Sequence, residues 1–264
     1  MKRILAPLVL LVLCAGPLAA GMKYQFESRT AGRGGTSLVG TASVEGSNMR
    51  LDITEGDDLL FKDRAVVLSR DGGKTMIILD PREKTWFELS IGDALQAMGS
   101  MMKSMGGMFQ MSIDNQTVDV KEAGDGGTIE GYPTRKYEVR TTYDLNMRIM
   151  GMKSASNVDM TTETWATTAI DPGFSTFVQT RGLRTGMEDL DALIAAQTAS
   201  VKGFPLKQVT TTKTTQGRKA DTQVTTMTVT GIEKASIPAS EFEVPADYSQ
   251  TESPLAAMDA LRRR

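Results

Sequence analysis

Tyr137-Glu138-Val139-Arg140-Thr141-Thr142-Tyr143-Asp144-Leu145-Asn146-Met147-Arg148-Ile149 is the stretch that decides the fold. Its odd positions carry Tyr, Val, Thr, Leu, Met and Ile. Its even positions carry charged and amide side chains and Thr142. A period of two sends successive side chains to opposite faces of a strand, so one face is apolar and the other wet. That pattern belongs to antiparallel sheets. The run far exceeds the usual strand of about 5–6 residues and predicts a strongly curved sheet. The polar stretch Ser154 to Asn157 is expected to turn the chain into a partner strand over Val158 to Thr168.

Upstream, the same alternation recurs in short pieces. Tyr24 and Phe26, the run Ser37 to Val44, and Met49, Leu51 and Ile53 read as strands separated by Gly32 to Gly35 and Gly46-Ser47-Asn48. Val66 to Leu68, Thr75 to Leu79 and Thr85 to Leu89 continue the series, with Asp71-Gly72-Gly73 and Asp80-Pro81 as breaks. Downstream, Leu206 to Thr215 and Thr222 to Ile232 read as a hairpin carrying ten threonines between Thr210 and Thr230. β-Branched Thr suits a half-exposed pleated surface.

Two segments change period. Leu95, Met98, Met102, Met105 and Phe109 recur at threes and fours, one face of a helix that contains six methionines from Met98 to Met111. Asp93 suits its N-terminal end, and Gly99, Gly106 and Gly107 loosen it. Unbranched, polarisable Met lets such a surface repack around apolar partners. A second helix is expected from Met187 to Val201, with acidic residues in its first turn and Gly203 at its end.

Composition narrows the chemistry. Lys2 and Arg3, the apolar run Ile4 to Leu13 and the small residues Leu18-Ala19-Ala20 form a signal-peptide pattern, cleaved near Ala20 or Gly21. Periplasmic or secreted localisation follows. The only cysteine, Cys14, lies in this leader and is preceded by Leu13 rather than by a small residue, which argues against acylation there. Beyond the leader there is neither Cys nor His. Ser-His-Asp and Cys-His catalysis and N/S zinc sites are thereby removed. Without Lys2 and Arg3 the chain has 28 basic against 32 acidic residues, a formal charge of −4. That balance leaves no electrostatic footprint for nucleic acid. No later run is long and apolar enough for a spanning helix.

Three further segments carry a family likeness. Ile129-Glu130-Gly131-Tyr132-Pro133-Thr134-Arg135-Lys136-Tyr137, Gly203-Phe204-Pro205-Leu206 and Phe242-Glu243-Val244-Pro245 occur in this order along the chain. The sequence resembles the LolA-like outer-membrane lipoprotein carrier superfamily, and most closely an uncharacterised bacterial family allied to it. The resemblance implies a curved antiparallel sheet whose concave apolar face is covered by helices and, in the carriers, holds acyl chains. It does not extend to the carrier's functional arginine, since Arg50, Arg140 and Arg148 fall on the polar sides of their strands.

The expected fold is mainly β with α: a signal peptide over 1–20, one half-barrel domain over 21–248 with helices on its concave face, and a flexible tail over 249–264. The expected function is that of a non-enzymatic binding protein. It would hold a lipid acyl chain or other hydrophobic small molecule under a Met-rich lid. Its ligand-binding residues would be Leu95, Met98, Met102, Met105 and Phe109 of the helix with Tyr137, Val139, Tyr143, Leu145 and Met147 of the strand. No cofactor, catalytic residue or metal ligand is assigned. Two alternatives stand beside this one: an envelope interaction module whose helices fill the sheet as core and bind another protein, and Cu(I) held by Met thioethers.

Overall fold

The computed structural model describes residues 21–253 except 33, 57–62, 91, 95–108, 172–191 and 193–200. In chain order the strands are β1 (Gly21–Ala31), β2 (Ser37–Glu45), β3 (Asn48–Gly56), β4 (Val66–Ser69), β5 (Thr75–Asp80) and β6 (Thr85–Ser90). There follow β7 (Phe109–Ile129), β8 (Tyr132–Ile149), β9 (Met152–Thr167), β10 (Phe204–Gln216), β11 (Lys219–Ala235) and β12 (Ser249–Gln250). They form one open sheet in the order β12-β6-β5-β4-β3-β2-β1-β11-β10-β9-β8-β7. All neighbours are antiparallel except β12, which runs parallel to β6. Ser249 and Gln250, at the start of the expected tail, thus pair with Thr85 and Trp86.

The fold differs from the expected helix-covered half-barrel. Among the described residues no helix covers either face, and helical backbone is limited to residues 92–94, residue 192 and a 3₁₀ turn at Ala239–Phe242. The helical reading of Met98 to Met111 fails at its C-terminal end. Phe109 and Met111 belong to β7 and pair with Ile149 and Met147. Met98, Met101, Met102, Met105 and Met108, most of the segment Met187 to Val201, and the leader over 1–20 lie outside the described residues.

β7 escaped the sequence reading for a physical reason. It has 21 residues, but its pairing with β8 slips between Asp114 and Thr117, Glu122 and Gly124, and Asp125 and Gly127. Each slip resets which parity faces the core. Apolar residues therefore stand at odd positions up to Ile113, at even positions at Val118 and Val120, and at an odd position again at Ile129. The positive φ values of Asn115, Gly124 and Gly127 mark these bulges. The turn after β8 also differs from expectation. It is Met150-Gly151, both at positive φ as a type I′ hairpin requires, while Ser154 to Asn157 lie inside β9.

The core sits on one face of the shorter strands. Met22, Tyr24 and Phe26 of β1, Ala42 and Val44 of β2, and Met49, Leu51 and Ile53 of β3 pack with Phe204, Leu206 and Val229. Tyr24 meets Phe204 edge to face, with ring centroids 5.5 Å apart. Burying each large apolar side chain stabilises by roughly 1.5–3 kcal/mol. Gly203 sets the entry into β10: at φ +96° its Cβ position lies 2.4 Å from the Thr167 carbonyl oxygen, so only glycine fits.

β4 is buried along its whole length because its other face is covered too. Val66, Leu68, Ile77 and Leu79 pack there with Trp86, Val244 and Tyr248. The chain's close is strapped down by side chains from the sheet. Arg50 Nη1 donates to the Glu241 carbonyl at 3.1 Å and Arg70 Nε to the Phe242 carbonyl at 3.0 Å. Lys23 and Lys84 pair with Glu241 and Asp247 at 3.1 and 2.8 Å. Phe242-Glu243-Val244-Pro245 is thus an anchor for the sheet, with Phe242 buried.

Candidate functional site

Five long strands, β7 to β11, carry the sheet past the core toward the Met150-Gly151 turn. Residues directly opposite in an antiparallel pair share a face, so register defines what lies together. Val139 stands beside Val120, Thr141 between Val118 and Met160, and Leu145 beside Ile113. Tyr143 faces Val158, and Met147 faces Met111. On β9 to β11 the same face continues into Thr162, Thr210, Thr225 and Met227. Thr162 and Thr210 join their hydroxyls at 3.2 Å. This face forms an apolar and threonine-rich platform.

The expected strand residues therefore do share one face, but they divide into two groups. Tyr137 and Val139 are each only 5% exposed and belong to packed interior. Tyr143, Leu145 and Met147 are half-buried and still present surface. Burial pushes the Tyr143 phenol pKa above its ordinary value, keeping the ring neutral. Leu95, Met98, Met102 and Met105 lie outside the described residues, and Phe109 opens β7. Sequence reasoning missed Val118, Val120, Ile113 and Met160. Val120, 49% exposed, is the most open of the β7 contributors. The parity switch across Asn115 was the signal for Val118 and Val120.

The opposite face is polar and extensively paired. Arg140 holds Asp159 through Nη2 at 2.9 Å, and the hydrogen bond from Arg140 keeps the Asp159 carboxyl below its usual range. Lys136 pairs with Glu163, and both Lys136 and Lys207 sit over the Trp165 ring, at 4.7 and 5.0 Å. Asp114 and Asp144 stand directly opposite each other, which would cost stability if unrelieved. Amides relieve it. Asn115 and Asn157 donate to Asp144 at 2.7 and 3.0 Å, lowering its pKa, and Asn146 donates to Asp114 at 2.8 Å.

Toward the β8–β9 turn this pairing stops. Arg148 and Lys153 stand directly opposite each other, two like charges, with Gln110 on Arg148's other side. They line a concavity of about 600 Å³ between residues 110–112, 146–148 and 153–155. Arg148 Nε is buried without a hydrogen-bond partner among the described residues, a state that ordinarily costs about 1–3 kcal/mol. Beyond them the turn is apolar and open: Ile149, Met150 and Met152 are 43, 78 and 72% exposed. Among the described residues no cluster of three or more His, Cys, Asp or Glu is placed to hold a metal.

Fold and site together define a single-sheet β protein with a one-sided apolar platform. The chain belongs to the family described as a domain of unknown function, DUF4412, whose model matches residues 35–248. Comparison with curated proteins finds no match. Among solved structures the chain is similar to an uncharacterized conserved protein from Thermus thermophilus, at 9% identity and TM-score 0.38, over 89% of this chain and 92% of that one. It is also similar to a LolA superfamily protein from Nitrosomonas europaea, at 11% identity and TM-score 0.31, over 86% and 91% of the two chains.

Proposed function

We propose that this protein is a non-enzymatic binding protein of the cell envelope that holds a lipid or other hydrophobic molecule on the platform of its long strands. The observation that carries this reading is the half-open apolar run of Tyr143, Leu145 and Met147 on one face of β8, with Met111 of β7 directly beside Met147. Soluble proteins seldom leave contiguous apolar surface without a use. Each CH₂ of an acyl chain laid there would gain about 0.8 kcal/mol, so affinity needs no ionic contact. The leader pattern over 1–20 supports export, and the absence of His and of Cys beyond the leader supports a binding role over a catalytic one.

One observation favours a second reading. Tyr137, Val139, Thr141 and Val158 are already buried, so that part of the face behaves as core. In that reading the platform is an interaction module for another envelope protein. Purifying the mature protein without detergent, then native mass spectrometry and solvent extraction, separates the two. Retained phospholipid or acyl chain supports the binding protein. Repeated emergence empty, with no uptake of fluorescent fatty acid, removes it in favour of the module.

A further inference from the structure

The tip of the β8–β9 hairpin reads Arg148-Ile149-Met150-Gly151-Met152-Lys153. Its apolar side chains have no described partners to bury them. Met150 and Met152 are among the most exposed large hydrophobic residues of the described chain, and Ile149 is open beside them. A two-residue type I′ turn holds them at the end of long paired strands, so they project at the end of a hydrogen-bonded ribbon. Of the flanking cations, Lys153 is exposed and Arg148 half-buried. Among the described residues neither Arg148 nor Lys153 has a carboxylate partner, and the carboxylates Asp114 and Asp144 are taken up by Asn146, Asn115 and Asn157. Along β8, Arg148 is four residues from Asp144, roughly 13 Å at strand rise.

Apolar residues at the very tip with cations one residue behind form the layered pattern of a bilayer surface: acyl region outermost, phosphate level next. We infer that this hairpin tip docks on an anionic lipid bilayer, with Ile149, Met150 and Met152 entering the interface and Arg148 and Lys153 meeting lipid phosphates. The occupant is identified by charge complementarity. The two like charges side by side, without a carboxylate partner among the described residues, call for an anion, and the apolar tip calls for a greasy layer just beyond it. Docking at this tip does not depend on whether the platform holds a ligand. Spanning is not implied, since no helix of the described residues is long and apolar enough to cross a membrane.

The test is co-sedimentation of the mature full chain with phosphatidylcholine vesicles, with and without phosphatidylglycerol. Binding should need the anionic lipid and should weaken with salt. Arg148→Gln and Lys153→Gln should each weaken it about fivefold, and the pair Met150→Ser with Met152→Ser about tenfold. The exposed positions Met150, Met152 and Lys153 should leave the urea midpoint unchanged when substituted, and a midpoint shift in any variant, the half-buried Arg148→Gln included, passes the question to Met150→Trp. Its fluorescence should shift to the blue on phosphatidylglycerol vesicles. Equal binding to both vesicle types, binding indifferent to all four substitutions, or a bound Met150→Trp with no blue shift would each overturn the inference. So would soluble glycerol 3-phosphate competing the protein off vesicles at low concentration, which would make the site one for free phosphate esters. A dimer abolished by Met150→Asp, without vesicle binding, would assign the tip to a second copy of the chain and overturn it equally.

Discussion

Glu130 Oε2 accepts a hydrogen bond from the Gly231 backbone N–H at 2.9 Å, although β9 and β10 separate β8 from β11. In a flat sheet those strands would lie about 14 Å apart, at roughly 4.8 Å per step. The Glu130-Gly131 turn must therefore fold over the ends of β9 and β10. Ile129 and Tyr132, on either side of that turn, accordingly pack against the main core. The sheet curls at this end and stays open at the Met150 end, so the long strands run from a packed region to an exposed one.

Removing the Glu130 carboxylate should loosen that closure. Glu130→Ala is expected to cost about 1 kcal/mol in urea unfolding, the worth of one hydrogen bond net of water. An unchanged midpoint would mean the turn is held by Ile129 and Tyr132 alone.

The platform should divide as burial divides it. Val139→Ala, inside the packed region, is expected to cost about 1.5 kcal/mol of stability for two lost methyl groups. Leu145→Ser, on the half-open part, should cost less than half of that yet weaken uptake of a fluorescent fatty acid severalfold. If the stability losses came out equal, the whole face would be core.

Gly203→Ala should be severe. The residue sits at φ +96°, with its Cβ position 2.4 Å from the Thr167 oxygen. Strain of this kind costs about 1–3 kcal/mol before the clash is counted, and the thermal midpoint should fall by several degrees. Wild-type stability in this variant would contradict the close approach of β9 and β10.

Acid should weaken the polar face. Asp144 and Asp159 are held below their usual carboxylate range, by the Asn115 and Asn157 amides and by Arg140 respectively. The unfolded chain therefore binds protons first as pH falls. Their stabilisation is complete above about pH 4, the unfolded value, and is lost as pH drops through the lower folded values. The urea midpoint of Asp159→Asn should consequently fall less steeply than wild type between neutral and strongly acid pH. Parallel slopes would show that other carboxylates govern acid unfolding.

The C-terminal strap should matter well beyond its length. Phe242→Ala empties a buried position whose neighbours are held by Arg50 and Arg70, and truncating such a Phe costs about 3–5 kcal/mol. A loss below about 1 kcal/mol in chemical denaturation, far under that range, would show the segment to be a passive cover.

The strands were legible in the sequence wherever pairing is regular. In β8 the alternation from Tyr137 to Ile149 predicts both the strand and its apolar face, because a period of two needs no tertiary information. The same local logic places Arg148 on the wet side. It failed where tertiary pairing resets the period: the bulges of β7 conceal Val118 and Val120, and Phe109, the first residue of β7, also continues the three- and four-residue spacing of Leu95, Met98, Met102 and Met105. Chemistry excluded by composition, such as histidine catalysis, was decided by the sequence alone. Other things depended on the assembled sheet. Whether an apolar strand position is core, as at Val139, or surface, as at Leu145, depends on how far the curled end reaches along the strand. That Arg148 and Lys153 lack acidic partners among the described residues depends on register across three strands, which no single segment contains.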